Sequence, residues 1–173
     1  MTSCVFCTRT FAWGFALLCL VATIARAQYP PLSAEEVKEV ETEVRSVIHS
    51  YYQLFSSRDT KAVGERIFHV PWILLDPEGA RVFHSAQETR ALFESSLAQI
   101  VPRGWERSDL PRPTVCVLSL GAATASGTFY RYKKDGSVLS EHGVTYFFGK
   151  TPHGSRIASL SSHPPGRGVE CED

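Results

Sequence analysis

Residues 122–150 read AATASGTFYRYKKDGSVLSEHGVTYFFGK, and they carry the clearest structural pattern of the chain. Side chains alternate on both sides of Asp135-Gly136, a dipeptide that strongly favours a tight β-hairpin turn. The first strand places Thr124, Ser126, Thr128, Tyr130 and Tyr132 on one face, and Phe129 and Arg131 on the other. The pattern predicts two long antiparallel strands.

Two further strands flank this hairpin. The apolar run Thr114–Leu120 precedes it, and residues 156–162 follow a turn at Pro152-His153-Gly154. Together these segments predict a four-stranded antiparallel meander. His163 and the prolines after it end the last strand, so residues 164–173 are expected to form a flexible tail.

An amphipathic helix is predicted near the start of the domain. Ser33 and Glu36 form an S-x-x-E capping box, in which each side chain satisfies a backbone amide of the other residue. Apolar residues then recur at three- and four-residue steps as far as Phe55, which predicts a helix ending near Ser57. Asp59 is suited to cap a short second helix.

A second hairpin and another helix are predicted between this helix and the meander. The run Phe68–Leu75 is rich in strand-forming residues, residues 76–79 (DPEG) favour a turn, and residues 81–84 return as the partner strand. A further S-x-x-E box at Ser85–Glu88 begins a helix that Pro102 ends. This order of elements predicts an α+β domain over residues 34–163, in which a curved, mostly antiparallel sheet wraps around helices as a cone with an interior pocket.

The first 27 residues have the composition of a secretory signal peptide. Their only charged residues are Arg9 and Arg26, and the apolar run 11–25 ends in the small-x-small pattern Ala25-Arg26-Ala27. As a helix that run would rise only about 22 Å, which is short of a hydrocarbon layer of about 30 Å. We expect cleavage near Ala27, export to the periplasm or medium, no stable membrane anchor afterwards, and an extended lead-in over residues 28–33.

The net charge restricts the classes of binding partner, and the cysteine content restricts the possible disulfide bonds. Eighteen basic and eighteen acidic residues give no net charge, so nucleic acid is not an expected partner. Three of the five cysteines lie within the predicted signal peptide, which leaves Cys116 and Cys171. Cys116 could be a buried free thiol or bridge to Cys171, and Cys171 could instead pair between molecules.

The chain resembles the nuclear-transport-factor-2-like superfamily, which includes SnoaL-like cyclases and ketosteroid isomerases. The resemblance rests on the order of elements and on YYQLFSSRD (51–59), LDPEG (75–79), residues 85–97, GTFYRYKKDG (127–136) and YFFGKTPHGSRI (146–157). It implies the cone fold over nearly all of residues 34–163. The resemblance does not single out one function, because families with this fold include isomerases, dehydratases, cyclases and proteins without catalytic activity.

The steroid-isomerase pattern can be compared with this chain residue by residue. Its enolate-binding tyrosine corresponds to Tyr51, and its general base, an aspartate followed by proline, corresponds to Asp76. Its second oxyanion donor, a protonated acid, falls near Val144 or Thr145, where this chain has no acid. Loss of one such donor typically lowers the rate by about 10²–10³, and the Thr145 hydroxyl would be a weaker replacement. Both candidates have structural alternatives: Tyr51 as a core residue and Asp76 as a turn residue.

Aromatic residues on the predicted elements are candidates for lining the pocket. They are, with one histidine, Trp72, Trp105, Tyr130, Tyr132, His142 and Tyr146. The same aromatic residues would also suit sheet packing or a homodimer interface through the sheet. The six histidines show no metal-ligand spacing, and the sequence has no nucleotide-binding glycine motif, so neither a metal nor a cofactor is expected.

Three functions fit these observations. The first is an exported domain that binds a small apolar or partly polar molecule in a conical pocket. The second is a cofactor-free isomerase, cyclase or dehydratase that uses Tyr51 and Asp76. The third is a non-catalytic module for dimerisation or protein interaction through the outer face of the sheet.

Overall fold

The computed structural model of this protein describes residues 30–171, and the folded unit begins at Leu32. The predicted signal peptide at 1–27 therefore lies outside the described residues. Within the described part, no helix is long and apolar enough to cross a membrane.

The helices begin and end close to where the capping patterns place them. They are α1 (Ala34–Ser56), α2 (Thr60–Ala62) with a π-helical turn (Val63–Ile67), and α3 (Ala86–Ile100) with a 3₁₀ turn (Val101–Arg103). The first capping box is complete: the Ser33 amide donates to the Glu36 carboxylate at 2.8 Å, and the Glu36 amide donates to the Ser33 hydroxyl at 3.2 Å. At α3, Ser85 caps the Glu88 amide, but the Glu88 carboxylate accepts from the His84 amide instead.

Seven strands form one open, curved sheet, which confirms the predicted α+β cone. They are β1 (Phe68–Asp76), β2 (Gly79–Phe83), β3 (Trp105–Asp109), β4 (Thr114–Ser119), β5 (Ala122–Lys133), β6 (Val138–Thr151) and β7 (Gly154–His163). The sheet order is β2-β1-β7-β6-β5-β3, and β4 also pairs with β5. The predicted meander corresponds to β4–β7. The structure adds β3 and a parallel pairing of β1 with β7, which joins the first hairpin to the end of the meander.

The strand register determines which side chains face the helices. Along β5 and β6, Ala125 lies opposite Tyr146, Gly127 opposite Val144, and Phe129 opposite His142. Helix α1 lies against this inner face, where Val44 and Val144 are almost fully buried. The alternate residues of β5, among them Tyr130 and Tyr132, therefore belong to the outer face of the sheet.

The C-terminal segment is attached to the sheet. Cys116 on β4 forms a disulfide with Cys171, with a Cα–Cα distance of 5.4 Å. This bridge decides between the three alternatives: Cys116 is not a free thiol, and Cys171 does not pair between molecules. The Val169 amide also donates to the Ser126 hydroxyl at 2.9 Å. The segment predicted as a flexible tail contains no helix or strand between Pro164 and Cys171, and these two contacts attach it to the sheet.

Candidate functional site

A cavity of about 170 Å³ lies between the inner face of the sheet and helices α1 and α3. Most of its wall is aromatic or aliphatic, with a few polar groups. The lining residues are Tyr51, Tyr52, Phe55, Trp72, Leu74, Leu92, Phe93, Ser96, Ser108, Phe129, Arg131, Val144, Tyr146, Leu160 and Ser162. A mainly apolar concave site with few polar groups is the usual form of a small-molecule pocket.

Helix α1 contributes two adjacent tyrosines to the cavity. Tyr52 is buried, and its hydroxyl lies 2.9 Å from the hydroxyl of Tyr146 on β6. Burial raises the pKa of both phenols, so they are neutral in the folded protein. Burial likewise raises the pKa of Tyr51, although the positive charge of Arg131 opposes this shift.

Aromatic contacts fix the positions of these side chains. The ring of Tyr51 lies edge-on to Phe68 and Phe93, with centroid distances of 5.8 Å in both cases. On β1, the buried Trp72 indole donates from Nε1 to the Thr89 hydroxyl of α3 at 2.8 Å. The wall is therefore held by packing and hydrogen bonds among its own side chains.

Arg131 is the only charged residue that lines the cavity within the described chain. It is partly buried, and its Nε atom is buried without a hydrogen-bond partner. None of the ion pairs within residues 30–171 involves Arg131. Burial lowers its pKa, but a guanidinium stays protonated in proteins. The ring of Phe129 offers it a cation–π contact, with the ring centroid 5.6 Å from Cζ.

His142 lies on the same face of the sheet but does not line the cavity. Its ring stacks on Phe129 at a centroid distance of 5.0 Å, and Nε2 lies 3.0 Å from the Ser140 hydroxyl. Partial burial lowers the pKa of His142, and the positive charges of Arg131 and Arg103 lower it further. The charge of Glu141 acts in the opposite direction.

The structure brings three of the predicted site residues to the cavity, namely Tyr51, Trp72 and Tyr146. Trp105 is instead a core residue: its indole donates to the Ser108 hydroxyl at 2.9 Å and packs against Phe55. Tyr130 and Tyr132 lie on the outer face, where the Arg107 guanidinium sits 4.0 Å from the ring centroid of Tyr132. They are not among the residues that line this cavity, since strand alternation defines two faces without showing which one the helices cover.

Asp76 is not among the residues that line the cavity. Its carboxylate accepts hydrogen bonds from Arg81 at 2.5 Å and from the Glu78 amide at 2.9 Å. The hydrogen bond from Arg81 lowers the pKa of Asp76, so it is a turn carboxylate within the β1–β2 hairpin. Thr145 faces away from the cavity and hydrogen-bonds Ser126 at 2.8 Å. The structure does not assemble the steroid-isomerase constellation around Tyr51.

Two polar contributions to the site were not predicted. Tyr52 lies next to the apolar stripe of α1, and the sequence gives no sign that its hydroxyl meets Tyr146, 94 residues later. The alternation along β5 places Arg131 on the same face as the apolar residue Phe129. This was the one sign in the sequence that Arg131 faces the helices. A charged residue on a predicted strand is normally assigned to solvent.

The outer face of the sheet exposes a row of apolar side chains. Val82, Ile73 and Phe147 are aligned through Ser159 across β2, β1, β7 and β6, and each is 40–48% exposed. The expected homodimer through the sheet remains a prediction. Among the described residues, no three histidine, cysteine or acidic side chains are grouped as metal ligands would be.

Comparison with known proteins identifies the family. Residues 39–165 match the model of a family described as NTF2-like protein (DUF6841). The chain belongs to this NTF2-like family. The family assignment agrees with the resemblance found in the sequence and with the cone-like sheet. No protein of curated function matches the chain significantly.

Solved structures described as NTF2-like or as having a cystatin-like fold share this fold. An NTF2-like protein with a cystatin-like fold from Novosphingobium aromaticivorans has a TM-score of 0.61 at 20% identity, covering 72% of this chain and 81% of its own. A nuclear transport factor 2 (NTF2-like) superfamily protein from Salmonella enterica has a TM-score of 0.56 at 18% identity, and the match covers 75% of this chain and 94% of that protein. A protein of unknown function with a cystatin-like fold from Nostoc punctiforme has a TM-score of 0.60 at 11% identity, and the match covers 73% of this chain and 92% of that protein. At these identities the likeness concerns the fold.

Proposed function

We propose that this NTF2-like domain is exported and binds a small, mainly apolar molecule in the cavity between α1, α3 and the sheet. The observation that carries this proposal is a mainly aromatic cavity of about 170 Å³, whose wall is held by contacts among its own side chains. An apolar protein cavity of about 150 Å³ is large enough to hold benzene. The proposed ligand therefore has a body of about one six-membered ring.

Export is supported by two independent features. The first 27 residues have the charge and hydropathy pattern of a cleavable signal peptide. The Cys116–Cys171 disulfide is the kind of bond that persists in oxidising compartments and is rare in the cytosol.

Binding is favoured over isomerase chemistry by the composition of the cavity wall. Abstraction of a proton beside a carbonyl needs a base within hydrogen-bond reach of the substrate. Among residues 30–171, none of those that line the cavity is an aspartate, glutamate or histidine. Asp76, the base implied by the resemblance, is held by Arg81 in the hairpin turn.

Two adjacent serines on α3 provide a matched test. Ser96 lines the cavity, whereas Ser95 is exposed and does not line it. Benzene and toluene should raise the melting temperature of the wild-type protein, because a ligand that binds only the folded state stabilises it. Ser96→Leu should fill the cavity and remove this shift, while Ser95→Leu should retain it. No shift in the wild-type protein, or equal shifts in both variants, would contradict the proposal.

A further inference from the structure

Arg131 lines a mainly apolar cavity, yet its guanidinium has no ion-pair partner among residues 30–171. Partial burial of a charge without a partner is costly, and buried charges in proteins are normally paired or hydrogen-bonded. Arg131 has no ion-pair partner within residues 30–171, and its buried Nε makes no hydrogen bond there. Contact with the Phe129 ring offsets only part of this cost.

The other charged groups near the cavity do not compensate the positive charge of Arg131. The positive charge of Arg103 lowers the pKa of both Arg131 and His142, so it lies near both groups. Two acids act on other groups here: the charge of Asp109 contributes to the raised pKa of Tyr52, and that of Glu141 opposes the lowering of the His142 pKa. Neither acid forms an ion pair with Arg131 among the described contacts.

The chemistry of guanidinium narrows the choice of ligand. Arg presents N–H donors in a planar fork that matches the two oxygens of a carboxylate. Tyr51, which lines the same cavity and remains protonated, offers a further donor. The remaining wall is aromatic and aliphatic, and its volume suits about one ring.

We propose that the ligand of this cavity is a small carboxylate with an apolar, ring-sized body, and that Arg131 binds its carboxylate. This inference rests on the proposed binding function and specifies the ligand class. The apolar body packs against the aromatic wall, while the carboxylate supplies the counter-charge that residues 30–171 do not provide for Arg131. A ligand of this class is favoured over a neutral one of equal size because a carboxylate accepts two parallel hydrogen bonds from the guanidinium and also neutralises its charge, whereas a neutral acceptor leaves that charge in place.

Three probes of similar size separate this inference from the binding function itself. Toluene tests the apolar cavity alone, benzamide adds a neutral polar group, and benzoate adds a carboxylate. Their dissociation constants are measured calorimetrically at about pH 7 on the disulfide-bonded protein. We expect benzoate to bind about 10- to 100-fold more tightly than benzamide, as a charge-assisted hydrogen bond implies.

Matched variants then test the role of Arg131. Arg131→Gln should abolish the preference for benzoate and leave toluene binding intact, whereas Arg131→Lys should retain part of the preference. Arg107→Gln removes an equal charge from the outer face, next to Tyr132, and should leave the preference unchanged.

Each contrary result has a distinct meaning. If toluene binds but benzoate binds no better than benzamide to the wild-type protein, the carboxylate inference is overturned and the binding function stands. The inference also fails if Arg131→Gln keeps the full preference, or if Arg107→Gln loses as much of it. If none of the three probes binds, the proposed function fails, and the inference fails with it. The comparison of benzoate with benzamide on the wild-type protein tests the carboxylate inference even if a variant at position 131 does not fold.

Discussion

The hydroxyl groups of Tyr52 and Tyr146 lie 2.9 Å apart, and this buried hydrogen bond links α1 to the centre of the sheet. Both phenols line the cavity, so each would otherwise present a polar atom to an apolar space. Pairing them satisfies both hydroxyls without adding a charge. The contact thus fixes the distance between helix and sheet at the point where the cavity opens between them.

A double-mutant cycle should detect this pairing. Tyr52→Phe and Tyr146→Phe each leave one buried hydroxyl unpaired and should lower the free energy of unfolding by about 1–3 kcal/mol. The double variant should lose less than the sum, because it leaves no hydroxyl unsatisfied. Guanidinium unfolding of the four proteins measures the coupling. Losses that simply add would show that the two hydroxyls do not interact.

Stability should fall at alkaline pH because of the same tyrosines. Burial raises the pKa values of Tyr51, Tyr52 and Tyr146 in the folded state, whereas an unfolded tyrosine titrates near pH 10. The unfolded chain therefore loses protons first, so their stabilising effect is complete below about pH 10 and declines above it.

Unfolding experiments between about pH 9 and about pH 11 would follow this decline. Phenolate absorbance should show these three side chains ionising only as the protein unfolds. Replacing Tyr52 and Tyr146 by Phe should flatten the pH dependence. Ionisation of all the tyrosines before unfolding would contradict the burial of these phenols.

Local patterns in the sequence were sufficient for most of the fold. The Ser33–Glu36 capping box begins α1, and the Asp135-Gly136 turn joins β5 to β6, because both depend on neighbours within a few residues. The parallel pairing of β1 with β7 depends on strands about 90 residues apart. No local pattern encodes such a pairing.

The site was harder to predict than the fold, for the same physical reason. Alternation along β5 separates Tyr130 and Tyr132 from Phe129 and Arg131, but only tertiary packing shows that the second pair faces α1. Asp76-Pro77 matches both a catalytic motif and a turn, and the ion pair with Arg81 shows it in the turn. Contacts between distant residues, not residue types, determine which side chains share the cavity.

The disulfide should contribute measurably to stability. It links residues 55 positions apart and attaches the C-terminal segment to β4, so it restricts the unfolded chain. Replacing Cys116 and Cys171 together by Ala should lower the free energy of unfolding by about 2–4 kcal/mol. A reducing agent should destabilise the wild-type protein to a similar extent and have no effect on the double variant. An unchanged denaturation midpoint in the double variant would contradict this expectation.

The titration of His142 should report the charge of Arg131. Burial and the charges of Arg131 and Arg103 lower the pKa of His142 from an ordinary value near 6.5. The unfolded chain therefore takes up this proton more readily, and the stabilising effect of neutral His142, present above about pH 6.5, is lost as the pH falls below it. Arg131→Gln should move the pKa of His142 upward, as measured by NMR of the imidazole ring. Arg107→Gln should leave it nearly unchanged, since Arg107 lies against Tyr132 on the outer face. Equal shifts in the two variants would mean that His142 senses only the net charge of the protein.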